Sequence, residues 1–182
     1  MPDPVLLPAV ASANQPPAPA ETALAEDTLG RLLGALASRL GPLPKYLYPS
    51  AGTLYPVQTY VGLRQSIGAL MPGCYYYDPE AHALVPLATG SPAGPGGADS
   101  AVLLMLVAQG AAIEPIYCEE AETFSLLEAG YMIEALHRAS PGLVLRDLGD
   151  PAEADCTSLQ TALRLEPSHR LLGSWAVEGR GR

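Results

Sequence analysis

Cationic residues are scarce in this sequence. Its 182 residues carry ten Lys and Arg against 19 Asp and Glu, a formal net charge of −9. The ten cations are scattered, so no basic surface for nucleic acid is expected. Long hydrophobic runs are missing as well. The longest, Ala101 to Ala108, is too short to span a bilayer. Cysteine is sparse: Cys74, Cys118 and Cys156 lie far apart, match no metal-ligand spacing and cannot all pair. No metal site is expected, and a reduced, cytoplasmic setting is. Residues 1–20 hold no Lys or Arg, which removes the basic start of a secretory signal. Their Pro and Ala richness reads as a disordered leader. Beyond it, 48% hydrophobic content with only 16% charge is globular, and residues 21–182 are expected to form a single domain.

The elements follow from periodicity. Between Glu21 and Leu40, the positions Leu24, Leu29, Leu32, Leu33, Leu36 and Leu40 recur at helical spacing, and Gly41-Pro42 stops that helix. A Tyr- and Pro-rich turn follows. From Val57 to Arg64, Val57, Thr59, Val61 and Leu63 alternate with Gln58, Tyr60, Gly62 and Arg64, as in a strand. Cys74–Tyr77 and Ala83–Leu87 flank Asp78-Pro79-Glu80-Ala81-His82 as a hairpin. Gly90 to Gly97 is a loop. Ala101 to Ala108 reads as a strand buried on both faces. Glu119 to Ala139 is a helix with Phe124, Leu127, Tyr131 and Leu136 on one face. Leu143–Leu148 and Leu171–Val177 read as short strands. Asp150-Pro151-Ala152-Glu153 reads as a helix start. Helices mixed with hairpins, without strict βαβ alternation, define an α+β class.

One segment stands out chemically. In Tyr48-Pro49-Ser50-Ala51-Gly52-Thr53-Leu54-Tyr55-Pro56 the centre is small and the ends are stiff. Ser50, Ala51 and Gly52 let the backbone approach a flat ligand with amides as donors. The plain alternative is a tight loop between helix and strand. The nine tyrosines cluster around this segment and at 75–77, 117 and 131, either lining a pocket or stapling strands.

YPSAGTLYPVQTY resembles the "PSAGxLYPVExY" segment of the SagB/McbC-type dehydrogenases, a branch of the nitroreductase-like superfamily. The likeness continues in order. Pro72 to Asp78 with His82-Ala83-Leu84 is similar to "PGlYhYdpxxHxL". Ala112 to Tyr117 and Phe124 to Met132 are similar to "aIxPlYGxxaxxFxLLEAGYM" of oxidase domains in nonribosomal peptide synthetases. His169 to Gly173 resembles the closing "HxLLGG". The resemblance implies a nitroreductase-like α+β fold, with a central, mostly antiparallel sheet flanked by helices in an intertwined homodimer. It implies FMN at the dimer interface and oxidation of thiazolines or oxazolines, or related intermediates, borne by a peptide or carrier protein. It also implies that Ser50, Ala51, Gly52, Thr53 and Leu54 pack near the isoalloxazine and that Tyr117 handles a proton. The Lys that precedes this Tyr in the peptide-modifying branch is Ile116 here, and the Gly that usually follows it is Cys118.

The family's Arg-rich "RRSxR" motif, which grips the flavin phosphate, has no counterpart upstream of Lys45. Only Arg31 and Arg39 occur there. The cations left to meet a phosphate are Arg138, Arg146, Arg164 and Arg170. Two alternatives follow. One is a flavin-free descendant using the old pocket for cyclisation, dehydration or isomerisation. The other is a non-catalytic dimer partner. Among further candidates, Glu128 and Glu134 are expected mainly as solvated helical residues. His137 suits the helix dipole. Cys118 has Glu114, Glu119 and Glu120 around it, which disfavours a reactive thiolate.

Overall fold

The computed structural model describes residues 3–7, 24–39, 45–90, 92, 100–149 and 153–179. Seven strands form one sheet: β1 (Val5–Leu6), β2 (Val57–Leu63), β3 (Gly73–Asp78), β4 (Ala83–Thr89), β5 (Val102–Gln109), β6 (Leu143–Asp147) and β7 (His169–Gly179). Their order is β1-β4-β3-β2-β5-β7-β6, and every pairing is antiparallel. Four helices accompany them: α1 (Glu26–Gly34), α2 (Gly110–Tyr117), α3 (Ala121–Ala139) and α4 (Glu153–Ala162).

β5 is the centre of the molecule. Its alternate residues enter two different cores, as a two-residue side-chain period requires. Val102, Leu104 and Leu106 join Leu29, Leu32, Leu33 and Leu36 from the α1 region and Ala129, Met132 and Leu136 of α3. Leu103, Met105 and Val107 face Leu159 and Leu163, from α4 and just beyond it. Helices thus cover both faces, which is why the strand reads as an unbroken apolar run.

Several expectations change on contact with the structure. The disordered leader does not hold at its start. Val5–Leu6 pairs with Leu84 and Ala83 of β4, and the Leu7 N–H donates to the His82 carbonyl at 2.9 Å. Two paired residues are too few to leave a periodic signal. The rest of the leader, the Gly41-Pro42 stop, most of the Gly90–Gly97 loop and Asp150-Pro151-Ala152 lie outside the described residues. The first helix is shorter than its leucine pattern. It ends at Gly34, and the Ser38 N–H donates instead to the Pro79 carbonyl at 2.9 Å. α2 was not expected, because Pro115 lies within it.

α3 follows a one-turn 3₁₀ segment at Cys118–Glu120. Its buried face is not the expected one. Leu136 is buried, but Leu127 and Tyr131 are about half exposed. The side turned inward instead carries Ala121, Ser125, Glu128, Ala129 and Met132. Small side chains there let the helix pack closely over the sheet.

Candidate functional site

The Tyr48–Pro56 segment leads from the α1 side into the first residue of β2. Gly52, Thr53 and Tyr55 all take left-handed backbone angles, φ 58°, 59° and 49°. Glycine does so freely, but each of the other two costs on the order of 1 kcal/mol. Local bonds hold the turn. The Tyr55 N–H donates to Ser50 Oγ at 2.9 Å, and the Thr53 hydroxyl donates to the Gly52 carbonyl at 2.6 Å. The Thr53 and Leu54 N–H groups donate back to the Ser50 and Ala51 carbonyls. Those two amides are therefore engaged within the turn. Gly52 and Thr53 are exposed and present a flat backbone surface, with Ser50, Ala51 and Leu54 half-buried beside it.

Tyr117 reaches this turn from the end of α2. A Cβ built on Gly52 would lie 2.8 Å from the Tyr117 hydroxyl oxygen, so the phenol sits against the glycine and no larger residue fits without displacing it. The Tyr117 ring packs edge-on against Phe124, with centroids 4.8 Å apart. The structure thus brings together the small turn and the tyrosine that the sequence singled out separately. Cys118, directly after Tyr117, is exposed and adopts φ 45°, ψ −117°, a conformation open mainly to glycine.

Behind the turn lies a group the sequence undervalued. Glu128 is 1% exposed. Its Oε1 accepts the Val57 N–H at 3.1 Å. Oε2 is buried without a partner. Burial pushes the carboxyl up to about 7, against the pull of the Ser50 hydroxyl and the Val57 N–H. The available signal was its place amid the apolar and small residues of Phe124-Ser125-Leu126-Leu127-Glu128-Ala129-Gly130. Glu134, by contrast, is exposed and paired with Arg138. In front of the turn Tyr46, Tyr48 and Tyr55 pack together, with centroids 4.1 to 5.8 Å apart, beside a small cavity of about 90 Å³. Burial pushes the Tyr46 phenol up to about 12 and Tyr48 higher still, so both stay neutral.

The fit to FMN divides in two. The exposed Gly52–Thr53 surface with Tyr117 suits a planar ring. For the phosphate, Arg138 pairs with Glu134, Arg146 with Glu178 and Arg170 with Glu122, at 2.7, 2.7 and 2.5 Å. Arg170 is the one placed at the turn's end of the sheet. It lies across β7 and β5 in the same row as Val57, through the pairs Arg170↔Ala108 and Ala108↔Val57, or about 10 Å by ordinary strand spacing. Its pairing with Glu122 is exposed, and such pairs contribute only about 0–1 kcal/mol, so a phosphate dianion can replace the carboxylate. Among the described residues, no group of His, Cys, Asp or Glu side chains could hold a metal ion, and no helix is long and apolar enough to cross a membrane.

No family model matches the chain. The structure is similar to a protein assigned as a nitroreductase from Anabaena variabilis (TM-score 0.72, 19% identity, 84% of this chain and 34% of that one). It also resembles the Escherichia coli microcin synthetase McbBCD complex with a truncated propeptide bound (TM-score 0.75, 19% identity, 89% and 66%). A third neighbour is a protein assigned as a nitroreductase from Ralstonia eutropha (TM-score 0.67, 24% identity, 97% and 80%). The chain therefore has the nitroreductase-like fold. In sequence it is 35% identical over 146 residues, 75% of its length, to the indigoidine synthase of Dickeya dadantii. It is 33% identical over 138 residues, 72% of its length, to that of Streptomyces lavendulae. It spans only 9% and 10% of those two proteins. These likenesses fit the SagB/McbC-type branch that the ordered sequence motifs resemble.

Proposed function

We propose that the chain is an oxidoreductase of natural-product biosynthesis that dehydrogenates a thiazoline, oxazoline or related intermediate borne by a carrier protein or peptide. The observation that carries this reading is the Tyr117 hydroxyl seated against Gly52 in the PSAGTLYP turn. The chain's similarity to a segment of two indigoidine synthases supports it. Desaturation removes a hydride and a proton from the substrate. FMN, when bound, supplies the hydride acceptor. The chain's own residues do the rest. Ser50 to Leu54 would support the ring, Arg170 would hold the phosphate in exchange for Glu122, and the Tyr117 hydroxyl would handle the proton. The exposed apolar side chains Ile116, Leu126, Leu127 and Tyr131 on α2 and α3 suit a homodimer interface.

The test is mass spectrometry of a carrier-bound thiazoline incubated with the protein and FMN. Loss of two hydrogens is expected, with turnover reduced about a hundredfold in Tyr117→Phe. An unchanged substrate mass would contradict the reading. A second reading is favoured by the three paired arginines: a flavin-free descendant performing cyclisation, dehydration or isomerisation, or a non-catalytic dimer partner. Product formation without any flavin would select the former.

A further inference from the structure

We infer that Glu128 is a positioning residue: one buried carboxyl on α3 fastens the exit of the Ser50–Val57 turn and thereby sets where Gly52 lies under the Tyr117 hydroxyl. The turn is short and strained, with three left-handed residues among Gly52, Thr53, Leu54 and Tyr55. Such a backbone persists only where its surroundings determine it. Its internal bonds close the turn on itself. From outside, the Gln109 N–H donates to the Pro56 carbonyl, and Glu128 reaches in from α3. It takes the Val57 N–H at the turn's exit, from 71 residues away in sequence. At the turn's start Ser50 Oγ accepts the Tyr55 N–H, so the exit that Glu128 holds and the start that Ser50 holds frame the strained residues between them.

The carboxyl is also poorly placed for a purely stabilising role. Oε2 is buried with no partner, a desolvation penalty that Glu128 incurs while its Oε1 satisfies the Val57 N–H. A costly polar group retained against the turn is explained by the geometry it imposes. Treating the Gly52–Tyr117 contact as the reacting edge rests on the proposed function, whereas the control of that contact by Glu128 does not.

The test therefore reads geometry, not turnover. Fluorotyrosine is placed at position 117, and its ¹⁹F signal is followed together with the Gly52 and Thr53 amide resonances. The variants are Glu128→Gln, Glu128→Ala, Ser50→Ala and, as a control, Leu136→Ala. Leu136 is fully buried on the same helix, so its truncation lowers the melting temperature without touching the turn. Glu128→Ala and Ser50→Ala are expected to shift both probes. Glu128→Gln, which retains an acceptor for the Val57 N–H, is expected to stay near wild type, and Leu136→Ala is expected to leave the probes in place. Should Glu128→Ala fail to fold, Glu128→Met decides, since it fills similar space without an acceptor for the Val57 N–H. Unmoved probes in these variants would overturn the inference. So would a shift in Leu136→Ala as large as theirs, or a Glu128→Gln spectrum displaced as far as that of Glu128→Ala. A desaturation assay that failed while these shifts appeared would discard the proposed reaction and leave the positioning role intact.

Discussion

Cys118 occupies a backbone position that glycine would hold without strain, at φ 45° and ψ −117°. Cys118→Gly is therefore expected to raise the unfolding free energy by about 1 kcal/mol in a denaturant titration, and a loss of stability would contradict the strain. Glu128 gives a pH prediction. Its folded value, about 7, lies above its ordinary value of 4.5, so the folded state holds the proton more tightly. The resulting stability is fully present below about 4.5 and is lost as pH rises through about 7, up to about 3 kcal/mol. Denaturation near pH 5 and near pH 8 should show wild type losing stability relative to Glu128→Gln. Parallel pH responses in the two proteins would show that the carboxyl is not shifted.

At the scale of elements, the PSAGTLYP turn and α3 form one unit. Gly52→Ala would place a Cβ 2.8 Å from the Tyr117 oxygen at φ 58°. It is expected to lower turnover on the order of tenfold or more, with a stability loss of about 1 kcal/mol. Unchanged turnover would show that the Gly52–Tyr117 contact has no part in the chemistry. Much of this unit was legible. The turn followed from its small residues between prolines, and β5 from an apolar run whose two faces enter two cores. The inward face of α3 was not legible. Phe124, Leu127 and Tyr131 look like a core stripe by hydrophobicity, yet Ala121, Ser125 and Ala129 turn inward, where small side chains allow close packing, and Glu128 turns inward to the Val57 N–H. Glu128 was named as a candidate but set among solvated residues, since surface preference is the usual fate of a helical glutamate. Its hydrogen-bond partner, the Val57 N–H, lies at the turn's exit, which no local pattern reveals.

For the whole molecule, antiparallel strands gather the functional parts at one end of the sheet. Val57, Ala108 and Arg170 form a row there, and the Gln109 N–H donates to the Pro56 carbonyl at 2.9 Å, tying the end of β5 to the turn. Fold membership was legible because several motifs recur in order along the chain. The distribution of charge around the site was not, because the partners of Arg138, Arg146 and Arg170 are set by tertiary packing. The central claim joins the turn to FMN, and the most direct measurement is a visible absorbance spectrum after incubation with FMN and removal of free flavin. The account predicts protein-bound flavin bands, reduced on the order of tenfold in Arg170→Ala. Wild-type protein with no bound flavin bands would contradict it.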